Sequence, residues 1–267
     1  MASDKYTTET ITSVRVWTPK LFSVRTTRHP DYRFTPGQFA RLGLRRADAQ
    51  AKDGSGWSTV WRAYSMASGR DESELEFYSI VVPGGEFSTE FARLGVGDSV
   101  LVDTTAYGFL TTDRFQTGQP DGHDLWLIST GTGLAPFVSI LLDPKTWTDY
   151  QRLIVVHSVH AAQELVYREE IEKLASAPLY QRGGAQLLYL PVVTGTALPG
   201  VLGARIGQLL ETGQLEAAAV PLDLQRSRIM LCGNPDMVSS SRKLLAARGF
   251  TTARRNAPGQ LAVENYW

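Results

Sequence analysis

The chain has 267 residues, too many for one small core, so two domains of ordinary size are expected. Hydrophobic residues make up 43% and aromatics 10%, which excludes a disordered chain. With 27 basic and 27 acidic side chains the net charge is zero, which argues against a nucleic-acid-binding or membrane-surface protein. The single cysteine, Cys232, rules out an intramolecular disulfide and fits a reducing compartment. Without an apolar leader or an apolar run of bilayer length, a cytoplasmic protein is expected. Of four histidines only His157 and His160 are close, and no cysteine or carboxylate framework surrounds them, so no metal site is expected.

In chain order, six short β-branched and aromatic stretches predict strands: Glu9–Trp17, Leu21–Thr27, Gln38–Leu44, Thr59–Ser65, Leu75–Val81 and Ser99–Asp103. Turn signals such as Pro36-Gly37 and Asp53-Gly54 separate them, and one brief helix, Ser88–Leu94, is stopped by Gly95. This pattern predicts a small antiparallel barrel over residues 1–117. The turn-rich Thr117-Gly118-Gln119-Pro120-Asp121-Gly122 reads as the boundary to a second domain, 118–267. There strands Leu125–Ser129, Leu153–Ser158, Gln186–Val193 and Arg228–Cys232 alternate with helices Leu134–Leu142, Ala162–Ser176, Arg205–Glu211 and Pro235–Arg248. Such alternation predicts a mostly parallel sheet with helices on both faces, a Rossmann-like α/β domain.

Several stretches carry chemistry. Strand 125–129 runs into Thr130-Gly131-Thr132-Gly133-Leu134-Ala135-Pro136, where two glycines let the backbone approach an anion at a helix start. An ordinary glycine-rich turn reads the same way, and a proline replaces the third glycine of the usual dinucleotide fingerprint. Cys232-Gly233-Asn234-Pro235 repeats the arrangement, with Asn234 as N-cap and Pro235 at the first helical position. Cys232 reads equally as a buried small hydrophobe or as a site residue. In Arg62-Ala63-Tyr64-Ser65, alternation puts Arg62 and Tyr64 on one face, suited to a diphosphate and an aromatic ring, unless the strand bends. A half-buried strand with a polar outer face accounts for it as well. Gly84-Gly85-Glu86-Phe87-Ser88 is either a second anion-binding helix start or a hairpin turn.

Together these residues resemble the ferredoxin(flavodoxin)–NADP reductase family, bacterial branch. Arg62-x-Tyr64-Ser65 resembles its flavin motif, and Phe77-Tyr78-Ser79-Ile80-Val81 with Gly84–Ser88 its strand and phosphate loop. Gly131 to Pro136 matches its nucleotide loop, Cys232-Gly233-x-Pro235 its nicotinamide side, and Glu264-Asn265-Tyr266-Trp267 its aromatic ending. The resemblance implies a reductase that binds FAD and passes hydride from NADPH to the flavin, then single electrons to ferredoxin or flavodoxin. For FAD it implies Arg62, Ala63, Tyr64, Ser65, Tyr78, Ser79, Ile80, Gly85, Glu86, Phe87, Ser88, Thr130, Tyr266 and Trp267. For NADP it implies Thr130, Gly131, Thr132, Gly133, His160, Thr194, Arg205, Cys232, Gly233, Asn234 and Pro235. Ser65, Cys232, Glu264 and Tyr266 are its implied catalytic residues, and a monomer is expected.

The sequence departs from the family where arginines usually meet the 2′-phosphate, with His160 and Gly195 in their places. NADPH preference is therefore expected to be weak, with NAD possible. Residues 15–62 hold ten basic side chains against three acidic ones, a net +7, either scattered solvated charge or steering for an acidic carrier. Two other readings are an NAD(P)H-dependent flavin reductase or oxygenase-reductase component and a non-catalytic interaction subunit. One cysteine excludes a built-in iron–sulfur domain, and Ser65 with the aromatic ending speaks against a subunit without chemistry.

Overall fold

The computed structural model describes residues 5–48, 56–115, 124–254 and 257–265. The expected Asp53-Gly54 turn, the boundary at 117–122 and the Tyr266-Trp267 ending lie outside them.

The first half forms β1 (Tyr6–Val16), β2 (Leu21–Thr27), β3 (Phe39–Ala47), β4 (Trp57–Ser65), β5 (Glu74–Ile80), the short helix α1 (Glu86–Phe91) and β6 (Ser99–Asp103). These six strands make one sheet, in the order β4-β3-β6-β1-β2-β5, and every pair is antiparallel. The sheet curls into a barrel that stays open between β4 and β5, closed at one point by a Met66–Phe77 bridge. Ile11, Val24, Leu42, Met66, Phe77 and Phe91 fill its interior. α1 begins two residues earlier than expected, because the turn at Gly84 (φ 74°) already directs the chain into it.

The second half contains β7 (Asp124–Thr130), α2 (Ala135–Leu141), α3 (Pro144–Asp149), β8 (Arg152–Val159), α4 (Arg168–Ser176), α5 (Pro178–Gln181), β9 (Gln186–Val193), α6 (Ile206–Glu211), α7 (Gln214–Ala218), β10 (Ser227–Gly233), α8 (Pro235–Ala247) and β11 (Leu261–Asn265). The sheet order is β11-β10-β7-β8-β9 and all pairs are parallel. Its strands are apolar almost throughout because both faces are covered. Trp126 and Ile128 pack with α6 and α8 residues on one side, and Leu125 and Leu127 pack with Phe137, Leu141 and Trp147 on the other. Gly131 to Leu134 form a 3₁₀ turn that leads into α2, with Pro136 in the helix's first turn, where its missing N–H is tolerated.

Two expectations are corrected. The helix expected over Ala162–Ser176 is broken: residues 162–164 form a 3₁₀ turn, and α4 starts only at Arg168, after Tyr167 at φ 61°. That left-handed turn is imposed by packing, because Tyr167 is drawn against the outer face of the barrel. β11 was not expected at all; it adds a fifth parallel strand beside β10.

The core on the α2 side does not stop at the sheet. It continues into the barrel through Leu21, Ala67, Tyr78 and Leu110. Polar contacts stitch the same seam: Ser139 donates to the Ser68 carbonyl (2.7 Å), and Arg70 pairs with Asp143 (2.9 Å). Both serines are buried, so Ser139→Ala leaves a carbonyl short of a partner with little access to water. The expected cost is about 1–3 kcal/mol, seen as a lower urea midpoint at an unchanged m-value. A midpoint equal to that of the parent protein would contradict this.

Candidate functional site

The gap between the two edge strands of the barrel opens a cleft of about 480 Å³. Arg62, Ala63, Tyr64 and Ser65 of β4 form one wall, Tyr78, Ser79 and Ile80 of β5 the other, and Gly85 to Ser88 cap one end. Alternation would have divided the β4 residues between two faces. All four reach the cleft because it runs along the strand's free edge, where both faces are accessible. The other domain supplies Thr132, Glu264 and Asn265. Every barrel residue expected at the flavin therefore lines one cleft. Phe39 and Val82 line it too, unforeseen. Phe39 is placed by its register opposite Ser65, a pairing between strands more than 20 residues apart.

Local geometry fits a flavin nucleotide. Tyr64 is wedged against Phe87 (5.5 Å) and Phe91 (5.4 Å), and its hydroxyl accepts from Ser79 Oγ (3.2 Å). Burial raises its pKa, so it stays neutral. The Ser65 hydroxyl is buried and has no hydrogen-bond partner among the described residues, an unmet valence that a polar ligand atom would satisfy. Ser88 Oγ accepts from the Val82 N–H (3.0 Å), and a Cβ at Gly85 would stand 2.9 Å from that oxygen. A side chain there would crowd the Ser88 hydroxyl and Val82. Arg62 is exposed at the rim; among the described residues its guanidinium meets only the Trp61 carbonyl (2.8 Å), leaving N–H groups for a diphosphate.

At the carboxyl edge of the parallel sheet, β7 and β10 end in contact. Thr130 Oγ1 accepts from the Asn234 N–H (2.8 Å), and Asn234 Oδ1 caps α8 through the Asp236 and Met237 N–H groups. A Cβ at Gly133 would lie 2.5 Å from the Cys232 carbonyl oxygen. A Cβ at Gly233 (φ 129°) would lie 2.2 Å from Thr130 Oγ1. Thr130, Gly131, Thr132, Gly133, Gly233, Asn234 and Pro235 thus gather in one place, beside the cleft. The exposed residues His160, Thr194 and Arg205 lie farther along the same edge. Gly195 donates to the His160 carbonyl (2.8 Å), and a Cβ on it would lie 2.7 Å from the imidazole. His160 and a side chain at 195 are therefore alternatives. Arg205 precedes α6, and among the described residues its guanidinium has no partner.

Cys232 is fully buried behind the cleft lining, in register with Glu264 on β11. Burial first, and Glu264 second, push the thiol pKa up, so the proton stays on sulfur at neutral pH. Glu264 reaches the cleft and is packed against Gly108 (φ 96°), whose missing side chain makes room for its carboxyl. Burial pushes its pKa up to about 7. No group of histidine, cysteine and carboxylate residues among the described residues could hold a metal. The basic run 15–62 does not form one free patch. Arg25 binds Glu72, Glu74 and Glu76, Arg15 binds Glu170, and Arg28 and Arg33 fold onto backbone carbonyls.

An antiparallel barrel whose open edge faces the carboxyl ends of a parallel dinucleotide sheet defines a two-domain oxidoreductase. Known proteins agree. The oxidoreductase NAD-binding domain family matches residues 127–243. The chain is 39% identical over 263 residues to ferredoxin–NADP reductase A of Sorangium cellulosum, covering 97% of this chain and 89% of that one. It is 36% identical to the flavodoxin/ferredoxin–NADP reductase of Escherichia coli, covering 98% and 99%. A solved ferredoxin NADP+ reductase of Neisseria gonorrhoeae with bound FAD and NADP superposes at a TM-score of 0.86 with 35% identity, over 98% and 99% of the two chains. The chain belongs to the ferredoxin(flavodoxin)–NADP reductase family. Among the described residues no helix is long and apolar enough to cross a membrane.

Glu264 offers a test of the site's electrostatics. Its folded pKa, about 7, lies above the ordinary 4.5, so the folded chain binds more protons than the unfolded one between those values. Stability contributed by the neutral carboxyl is therefore full below about pH 4.5 and is lost as pH rises toward 7. Glu264→Gln removes the titration. The difference in melting temperature, variant minus parent, is expected to be near zero at low pH, to grow through this window and to level off above it. A difference independent of pH would contradict the assignment.

Proposed function

We propose that this chain carries electrons between NADPH and ferredoxin or flavodoxin through bound FAD, with the barrel (1–117) holding the flavin and the α/β domain (118–267) the dinucleotide. The observation that carries this reading is the buried, unpartnered Ser65 hydroxyl in a cleft whose walls come from both domains. When bound, FAD supplies the means to accept a hydride and release electrons singly; the protein supplies binding, orientation and electrostatics.

In this reading Arg62 and the N–H groups near Phe87 and Ser88 hold the FAD diphosphate, Tyr64 packs along the ring system, and Ser65 donates or accepts a hydrogen bond at its reactive edge. Thr130 to Gly133 and Gly233 to Pro235 receive the dinucleotide at the strand ends. Glu264, poised near neutrality, holds or yields a proton there, and Cys232 supports the nicotinamide from beneath as a neutral thiol. The carrier docks transiently on a monomeric, cytoplasmic enzyme.

The test is direct. The purified protein is expected to be yellow, to bleach anaerobically on NADPH addition, and to regain colour when oxidised ferredoxin or flavodoxin follows. A colourless protein that takes up no FAD would sink the reading. Recovery only with free flavin would turn it toward a flavin reductase.

Dinucleotide preference follows from the same edge. With His160 and Gly195 where relatives place arginines, Arg205 is the one permanent cation of the expected set. Arg205→Ala is expected to lower kcat/KM for NADPH by about tenfold, the scale of one charge-assisted hydrogen bond, with NADH unaffected. An equal loss with both dinucleotides would remove Arg205 from 2′-phosphate recognition.

A further inference from the structure

Among the described residues Tyr167 is the one non-glycine at positive φ. Its Cβ crowds the neighbouring carbonyl in this conformation, which persists only where the surroundings impose it. Here the surroundings belong to the other domain. Tyr167 ends the loop between β8 and α4 and is buried, its ring 4.9 Å from Trp17 and 5.2 Å from Tyr78. Both neighbours stand on the barrel side. The Tyr167 hydroxyl donates to Glu76 Oε1 (2.5 Å), and the other Glu76 oxygen is held by Arg25 (2.6 Å). Glu76 lies on β5 two residues before Tyr78, which lines the cleft. The remaining side-chain ion pair at this end of the seam, Arg15 with Glu170, is exposed and contributes little. Burial, and then Glu76, raise the phenol pKa, so it acts as a donor throughout the working range.

We propose that Tyr167 is a positioning residue. Its packing against the barrel's outer face sets the spacing between the Tyr78 wall of the cleft and the strand ends of the dinucleotide sheet, and with it the rate of hydride transfer. The inference rests on the reductase reading above. In that step a C4–H bond of the dihydronicotinamide breaks and an N–H bond forms on the flavin. Two electrons travel with the proton, so the dinucleotide is oxidised and the flavin reduced. Small errors of placement cost such a step steeply, about a hundredfold per ångström.

The experiment is anaerobic stopped-flow reduction of the FAD-loaded protein by NADPH and by its 4-deuterated form. Tyr167→Phe, which keeps the ring and removes the donor, is expected to lower the limiting rate by about tenfold. Half-saturation by NADPH stays within about twofold, and the full primary isotope effect is retained. Glu76→Gln keeps an acceptor for the phenol and retains the parent rate; Glu76→Leu removes it and repeats the loss. Glu76→Leu also serves should Tyr167→Phe fail to fold. A parent rate in Tyr167→Phe or Glu76→Leu, with only the melting temperature lowered, makes the contact merely structural and overturns the proposal. If NADPH leaves the parent protein's flavin oxidised, the reductase reading fails first.

Discussion

The cleft exists in its present form because the barrel and the parallel sheet share one apolar core. Leu21, Ala67, Tyr78 and Leu110 from the first half pack into the same cluster as Phe137, Ile140, Leu141 and Tyr167 from the second. Interfaces between domains of one chain are commonly polar and leave room for relative motion. A continuous hydrophobic seam removes that freedom, since separating the halves exposes large side chains to water. It also settles which strand ends face which barrel edge, on which any chemistry between two bound nucleotides depends.

The barrel's opening is the second condition. Free strand edges are a hazard, since their unpaired N–H and C=O groups invite association. Here the edges of β4 and β5 face each other across a cleft, and Tyr64, Ser65, Tyr78 and Ser79 along them carry hydroxyls. Tight backbone approach completes the arrangement. Gly85 lets the turn before α1 lie on Ser88 and Val82, while Gly133 and Gly233 let the ends of β7 and β10 meet. A methyl group at any of the three would collide with backbone or with the hydroxyl that organises the turn.

Charge is handled sparingly inside the site. Cys232 and Glu264 sit side by side across two strands, and burial favours the neutral form of each. Permanent charge is kept to the rim, at Arg62, and to the exposed sheet edge, at Arg205. The many arginines of the first half are mostly committed elsewhere, above all to the Arg25 cluster that fixes Glu76 beneath Tyr167.

The alternation of strands and helices, the glycine-bearing loops and the order of the motifs were all legible in the chain, because they rest on local periodicity and on backbone conformations that few residues adopt. Strand positions agreed to within a few residues, and the barrel residues expected at the flavin do line one cleft. What periodicity could not reveal was decided by contacts distant in sequence. Leu261–Asn265 matches Ser99–Asp103 in length and apolar content, but only its pairing with β10 makes it a strand of the parallel sheet and places Glu264 beside Cys232. Phe39 joins the cleft only through its register with Ser65. Residues 162–176 have the composition of one helix, but a buried socket on the barrel outweighs local preference and turns the chain left-handed at Tyr167. Local propensity amounts to tenths of a kcal/mol per residue, whereas burying an aromatic ring is worth roughly 1.5–3 kcal/mol. Where the two disagreed, tertiary packing prevailed.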